Sequence, residues 1–380
     1  EMSEVAQATH SSPDGHIPQL RFPEFSGEWM TDELSNLIEI SSNKFNPNTS
    51  NESKKCIELE HLSQETGELL GYTDSTAQAS TKNAFTKGQV LFGKLRPYLK
   101  KFWLSQFDGV CSSEIWVLNG KKLANNYLFQ FIQTNKFNQI ANVSSGSKMP
   151  RSDWKYMVQV PFKYTTKPEQ QKIAAFLTAV DNKIEQLSKK QELLSEYKKG
   201  VMQQIFSQAI RFKADDGSEF PEWKERRLGD VCSKAKSGGT PRSTTKEYYD
   251  GDIPFLAISD ITRQGKYLTS ASKKISQLGI DNSASWIVPI DTIIYSMYAS
   301  VGFVSINKIP LATSQAVINL IVKDGYSIEF IYYHLIEVKK TIHKFIETGT
   351  QGNLNAQTVK SLILNIPSLP EQAKIANFLS

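Results

Sequence analysis

The sequence predicts an α+β chain: two similar mixed α/β domains joined by a long coiled-coil spacer helix, in a pseudo-two-fold arrangement. Three observations predict it. A ten-residue segment near the middle recurs at the C-terminal end. Short β-branched and aromatic runs, punctuated by Gly, Asn and Asp, fill the regions ahead of each copy. Between the two regions lies a polar stretch whose apolar residues keep a seven-residue period.

The repeat carries most of the weight. Pro168-Glu169-Gln170-Gln171-Lys172-Ile173-Ala174-Ala175-Phe176-Leu177 returns as Pro370-Glu371-Gln372-Ala373-Lys374-Ile375-Ala376-Asn377-Phe378-Leu379, identical at eight of ten positions. Phe22-Pro23-Glu24-Phe25 returns as Phe220-Pro221-Glu222-Trp223, again about 200 residues on. The residues between these markers do not visibly match, so each half has a constant edge and a divergent interior. The 380 residues divide into a flexible polar leader (1–19), a first domain (20–167), a spacer helix (168–208), a second domain (209–369) and the start of a second spacer helix (370–380). Each domain is long enough to bury its own core. Within them, 89–92, 115–118, 287–295 and 316–322 read as strands, and 123–141 and 327–347 as helices.

Pro168 suits the first turn of a helix and Glu169 its positive end. One seam position then holds Ile173, Val180, Leu187, Leu194 and Val201, and the other holds Leu177, Ile184, Gln191, Lys198 and Ile205. Eight of these ten are apolar, which favours a coiled-coil seam packed through Ile173, Leu177, Val180, Ile184, Leu187, Leu194, Val201 and Ile205. A helix of about 39 residues reaches about 58 Å. An ordinary buried bundle helix is the plainer reading; the second helix start at Pro370 favours a spacer.

Composition narrows the chemistry. With 44 Lys+Arg against 39 Asp+Glu, the net charge of +5 permits a nucleic-acid partner without requiring one. Cys56, Cys111 and Cys232 are far apart and form no C-x-x-C pair, which speaks for reduced cytoplasmic thiols. No run approaches the roughly 18 apolar residues of a membrane span, and no signal-peptide pattern opens the chain, so no membrane partner is expected. Gly88-x-x-x-x-Gly93-Lys94 begins like a phosphate-binding loop, but Leu95 follows where a hydroxyl is needed. No dinucleotide fingerprint follows a strand, and no Asn-Pro-Pro-aromatic or Asp-Pro-Pro-Tyr run marks an amino-methyltransferase. Glu222-x-Lys224 and Glu337-x-Lys339 lack an upstream acidic partner, and His61, His334 and His343 lack metal-ligand spacing. The expectation is a chain with no catalytic residue, no metal site and no cofactor of its own.

The two F-P-E-[FW] segments, the two P-E-Q-x-K-I-A-x-F-L helix starts, Tyr197-Lys198-Lys199-Gly200-Val201-Met202-Gln203-Gln204-Ile205-Phe206-Ser207, Arg211-Phe212-Lys213 and Leu228-Gly229-Asp230 together resemble the specificity subunits of type I restriction-modification systems. The resemblance covers nearly the whole chain from Leu20 onward. It implies two target-recognition domains, each reading one half of a split double-stranded DNA site, separated by an antiparallel coiled coil. It implies that methyltransferase (modification) subunits using S-adenosylmethionine dock on this frame. Restriction motor-nuclease subunits, with ATP and magnesium, join them. Two readers on a stiff rod predict half-sites about one DNA turn apart, on the order of 34 Å. Lengthening the rod within 187–194 is then expected to change the gap and neither half-site. The second helix start ends at Ser380, so the partner for 173–205 is expected from a second chain, unless the protein is naturally truncated. The second functional reading is a coiled-coil protein-interaction scaffold without DNA specificity, which predicts no salt-sensitive duplex binding.

Candidate DNA contacts follow. Lys82, Lys87, Lys94, Arg96, Lys100 and Lys101 share an acid-free stretch with Tyr98, Phe102 and Trp103 and suit phosphates. Gly93 would let backbone approach a phosphate, and Arg96 would reach a guanine edge. In the second half, Thr240, Arg242 and Lys246 lie on a loop that begins Gly238-Gly239, and Arg263, Lys266, Lys273 and Lys274 add charge. Ser296 and Tyr298 follow an apolar strand. Loops 144–151 and 349–355 hold corresponding places ahead of the helix repeat; Ser147, Lys148 and Arg151 suit phosphates, and Gln351, Asn353 and Asn355 suit phosphates or adenine edges. Solvated surface is the competing reading for the cations, and turn or cap formation for the asparagines.

Overall fold

The computed structural model describes residues 17–49, 52–77, 80–143, 148–298, 300–342 and 353–380. The chain forms two compact units, Glu1–Ser188 and Lys189–Ser380. Their boundary falls inside one helix, Lys167–Phe206, so each unit owns one end of it.

In the first unit, strand Met30–Glu33 pairs antiparallel with Pro161–Tyr164. An antiparallel sheet follows in the order Ile38–Ile40, Ile115–Gly120, Val90–Gly93, Phe102–Leu104. A mixed sheet runs Lys44–Phe45, Lys82–Phe85, Gly109–Cys111, Lys55–Ile57, Thr73–Asp74. Val90–Gly93 reads as a continuous apolar run because both its faces are covered. Its alternation sends Val90 and Phe92 toward helices Asn125–Phe131 and Asn135–Ala141, and Leu91 toward Ile57, Phe85 and Cys111 of the mixed sheet.

The second unit repeats this plan. Lys224–Arg227 pairs with Ile363–Ile366. One sheet runs Cys232–Ser237, Val317–Val322, Ile293–Ser296, Val304–Asn307, Tyr267–Leu268, and the other Lys273–Ile275, Ile253–Leu256, Leu311–Thr313, Ile287–Val288. Ile293 and Tyr295 face helix Ile328–Lys339 and the end of the long helix, while Ile294 faces Leu256 and Leu311.

Three element expectations need correction. The helix expected over 123–141 is two helices, because Thr134 accepts from the Phe137 amide at 3.4 Å and caps the second. The strand expected over 287–295 is two strands in different sheets. Pro289 between them offers no N–H, and Asp291 takes a left-handed φ of 58°. The helix begun at 327, where Ser327 caps Phe330, reaches Lys339; residues 343–347 lie outside the described ones.

The repeated Pro-Glu-Gln is a structural clasp. Glu169 is buried and takes a fork from Arg21, Nε and Nη2 both at 2.7 Å, and a hydrogen bond from the Trp29 indole at 3.4 Å. Glu371 is buried and takes the same fork from Arg211 at 3.2 and 3.0 Å, and the Trp223 indole at 3.2 Å. Trp29, not Phe25, is therefore the partner of Trp223 in the repeat. The F-P-E-F match is displaced by the different loop lengths after Arg21-Phe22 and Arg211-Phe212. Burial pushes the Glu169 carboxyl up, but hydrogen bonds from Arg21, Thr165 and Trp29 outweigh it and hold it below its ordinary range. Gln170 accepts from the Ala124 amide at 2.8 Å, and Gln372 from that of Ser327 at 2.9 Å, so each clasp also fixes a helix start.

The seam of the long helix behaves differently along its length. Ile173 packs against the first core; Val201 and Ile205 join the second, with Met202 and Phe206. Leu177 is half-buried, and Val180, Ile184, Leu187 and Leu194 are exposed. Within the chain, the seam is packed at its ends, where each globular core covers the helix, and exposed in its middle. Gln208, with φ 61°, ends it. Among the described residues, no helix is long and apolar enough to cross a membrane, and all three cysteines are buried and free.

Candidate nucleic-acid interface

Strand Val90–Gly93 delivers the chain to one end of the first unit's sheet, where two distant segments meet. The Lys94 amide donates to the Glu114 carbonyl at 2.9 Å, and the Lys94 carbonyl accepts from Ser152 at 2.9 Å. The Arg96 amide donates to the Pro150 carbonyl at 2.8 Å, and Leu95 bridges Arg151. Lys94, Arg96, Lys148 and Arg151 are thereby gathered from 94–96 and 148–151. Arg96 and Lys100 flank the short 3₁₀ turn Pro97–Leu99 with left-handed φ of 51° and 47°. Such strain in residues with side chains is kept where the surroundings over-determine it, often at functional sites.

Arg151 is held by Glu114 through Nε and Nη2, both at 3.0 Å. That pairing keeps the Glu114 carboxyl below its ordinary range and raises Arg151. Lys94, Arg96 and Lys148 have no side-chain ion pair among the described residues.

Other residues of the basic stretch lie elsewhere. Lys82 is buried and pairs with Glu58 at 2.6 Å, inside the mixed sheet rather than at a phosphate surface. Lys101 reaches the Leu59 carbonyl at 2.5 Å, and Lys100 pairs with Glu65 at 2.8 Å. Lys87 is exposed at the opposite end of Val90–Gly93 from Lys94, and the strand alone spans roughly 10 Å. Gly93 is buried, and a Cβ there would lie 2.9 Å from the end of the Leu59 side chain and 3.3 Å from Lys101, so the glycine serves close strand packing.

The second unit has the same sheet end. The Met297 amide donates to the Ala316 carbonyl at 2.9 Å, and the Met297 carbonyl accepts from Leu354 at 3.0 Å. These bonds match those of Lys94 and place 353–355 where 151–153 stand in the first unit. Thr240 joins the same end through Gln315, at 2.7 Å; Gln315 escaped the sequence reading because an isolated loop glutamine carries no pattern. Tyr298 is exposed. Asn355 caps helix Ala356–Ser361, accepting from Thr358 at 2.7 Å, and its side-chain nitrogen has no partner among the described residues. Gln351 and Ser147 lie outside the described residues.

Ser296 is fully buried and donates to the Tyr298 carbonyl at 3.0 Å; it is still part of the strand and presents nothing outward. Gly238 and Gly239 press against Thr313 and Ala284, which a Cβ would approach within 1.8 and 2.8 Å, so they pack rather than wrap a backbone. Arg263 pairs with Asp260 at 2.8 Å, and Lys274 with Asp252 at 3.1 Å. Lys266 donates to Tyr333 and Ser380 at 3.1 and 2.9 Å amid the rings of Tyr267, Tyr332 and Tyr333. Arg242, Lys246 and Lys273 are exposed, with no ion pair among the described residues. Also among them, no three His, Cys, Asp or Glu gather as a metal site.

Two copies of one sheet-and-helix unit, framed by the same clasp and ending in unlike loops, define a duplicated recognition protein. The family model for the type I restriction modification DNA specificity domain matches residues 26–195 and 221–380, and the chain belongs to that family. It is 32% identical over 181 residues to the type I restriction enzyme MjaIX specificity subunit of Methanocaldococcus jannaschii, covering 46% of this chain and 41% of that relative. It is 24% identical to the HindI specificity subunit of Haemophilus influenzae, over 79% of this chain and 81% of that one. Among solved structures, the type I restriction-modification S subunit from M. genitalium superposes with a TM-score of 0.58 at 15% identity, over 93% of this chain and 88% of that chain. A chain from a structure of type I R-M complex assembly and conformational transition gives 0.55 at 17% identity, over 92% and 89%. The solved structures bear on the fold alone.

Proposed function

We propose that this chain is the subunit that recognises double-stranded DNA by sequence in a type I restriction-modification complex, reading a bipartite site. The carrying observation is the pair of equivalent sheet ends. Equivalent backbone bonds at Lys94 and Met297 set Arg96 and Arg151, with Lys148 close by in sequence, beside one sheet end and Tyr298, Asn353 and Asn355 beside the other, where a side-chain bond joins Thr240 to Gln315. A cationic fork reads guanine acceptors; amide and hydroxyl groups read adenine or phosphate. Unlike readers on like frames suit two unlike half-sites.

In this reading the chain is non-catalytic. Methyltransferase subunits carrying S-adenosylmethionine modify adenines at the site it selects, and motor-nuclease subunits supply ATP- and magnesium-dependent cleavage. The protein-interaction scaffold is disfavoured by the gathered cations of the first unit and by the family match. The test is to map methylated adenines in DNA exposed to this chain with its methyltransferase. Two defined half-sites at a fixed gap are expected, with no methylation or cleavage by the chain alone. Methylation without sequence preference, or duplex binding insensitive to salt, overturns the reading.

A further inference from the structure

Glu114 is an acid set among the first unit's cations, and it ties both loops there. Its carbonyl anchors the loop 94–96, accepting from the Lys94 amide at 2.9 Å. Its carboxylate anchors the segment 148–152, accepting from Arg151 Nε and Nη2 at 3.0 Å each. The backbone ladder between them is independent of that carboxylate: Ser152 bonds Lys94, and Arg96 bonds Pro150. The carboxylate is therefore not needed to bring the loops together. What it does is orient one guanidinium and neutralise one charge.

Two consequences follow from guanidinium geometry. A fork held along one edge by a carboxylate keeps its outer N–H groups in a fixed plane; among the described residues, only a 3.5 Å contact from Nη1 to the Met149 carbonyl competes for them. A fixed donor pair discriminates among acceptor patterns, whereas a mobile cation binds any phosphate. A carboxylate at that surface also repels phosphate that approaches without the matching bases, which acts against wrong sequences.

We propose that Glu114 is a positioning and discriminating residue of the first half-site reader: it presents Arg151 as an oriented donor pair and weakens binding to DNA that lacks the acceptors Arg151 matches. The proposal rests on the DNA-recognition reading above and assigns Arg151 to base edges rather than to phosphates.

The test uses the full chain and two probes, a mixed-sequence duplex and the duplexes recovered by selection from a random pool. Glu114→Gln is expected to bind the mixed-sequence duplex more tightly, with a slope of log affinity against log salt steeper by about one counterion. The selected sequences are expected to relax in one half-site by roughly tenfold or more, with the other half unchanged. Arg151→Lys keeps the charge and removes the fork. It is expected to relax the same half-site without steepening the slope, and it decides the matter should Glu114→Gln not fold. A merely structural Glu114 would lower the melting temperature and leave slope and selected sequence as they were; that result overturns the proposal. So does an Arg151→Lys chain that selects the original sequences. If the unaltered chain shows no salt-sensitive duplex binding, the DNA-recognition reading itself fails, a separate outcome.

Discussion

The sheet ends after Val90–Gly93 and Ile293–Ser296 are tied by the same two backbone hydrogen bonds, yet one presents cations and the other neutral hydrogen-bonding groups. Backbone bonds are indifferent to side-chain identity, so this frame tolerates replacement of everything it displays. The clasps show the opposite case. Arg21, Trp29 and Glu169, and Arg211, Trp223 and Glu371, do their work through side chains, and there the two units are alike. Where side chains hold the fold the units agree; where backbone holds it they diverge.

The largest expected effect tests the agreement. Glu169→Ala and Glu371→Ala each leave a partly buried guanidinium short of partners, and each is expected to cost its own unit about 1.5–3 kcal/mol. Hydrogen exchange resolved by unit measures this. A loss in one unit only would show that the clasps are not equivalent.

A second contrast lies one helix away. Seven residues after the matched amides of Ala124 and Ser327 stand Phe131 and His334, both buried. His334 accepts from the Asn365 amide at 3.1 Å, and burial pushes its pKa down to about 4. The folded second unit therefore holds His334 neutral where the unfolded chain takes up a proton. Its contribution is complete above pH 6.5 and is lost as the pH falls toward 4, at about 1.4 kcal/mol per pH unit. The second unit is expected to open before the first on acidification, and His334→Phe to remove that part of the slope. Hydrogen exchange at pH 7 and pH 5 provides the comparison; equal acid sensitivity of the two units in the unaltered chain defeats it.

Smaller effects are expected at the proposed DNA faces. Arg96→Ala is expected to lower duplex affinity by about 1–3 kcal/mol and to flatten the salt slope by about one. Tyr298→Ala is expected to lower affinity less and leave the slope unchanged, because no charge is removed. Equal salt responses would show that the units' chemistry does not differ as their side chains do. Smallest of all, Lys87→Ala is expected to change duplex affinity by no more than about 0.5 kcal/mol, since Lys87 stands at the other end of the strand from Lys94. Filter binding across a salt series covers all three variants.

By itself the sequence determined what local periodicity and repetition can encode. The duplicated frame, the apolar runs at Val90–Gly93 and Val317–Val322, and the helix Lys167–Phe206 were legible because each is written in neighbouring residues. Tertiary structure decided what each charge and glycine is for. Lys82 and Arg96 look alike in an acid-free stretch, yet long-range packing buries one against Glu58 and leaves the other exposed at a strained turn. Gly93 packs beside Leu59 and Lys101, and Glu114 meets Arg151 across 37 positions of chain. Burial and pairing depend on partners far away in sequence, so only the folded chain assigns them.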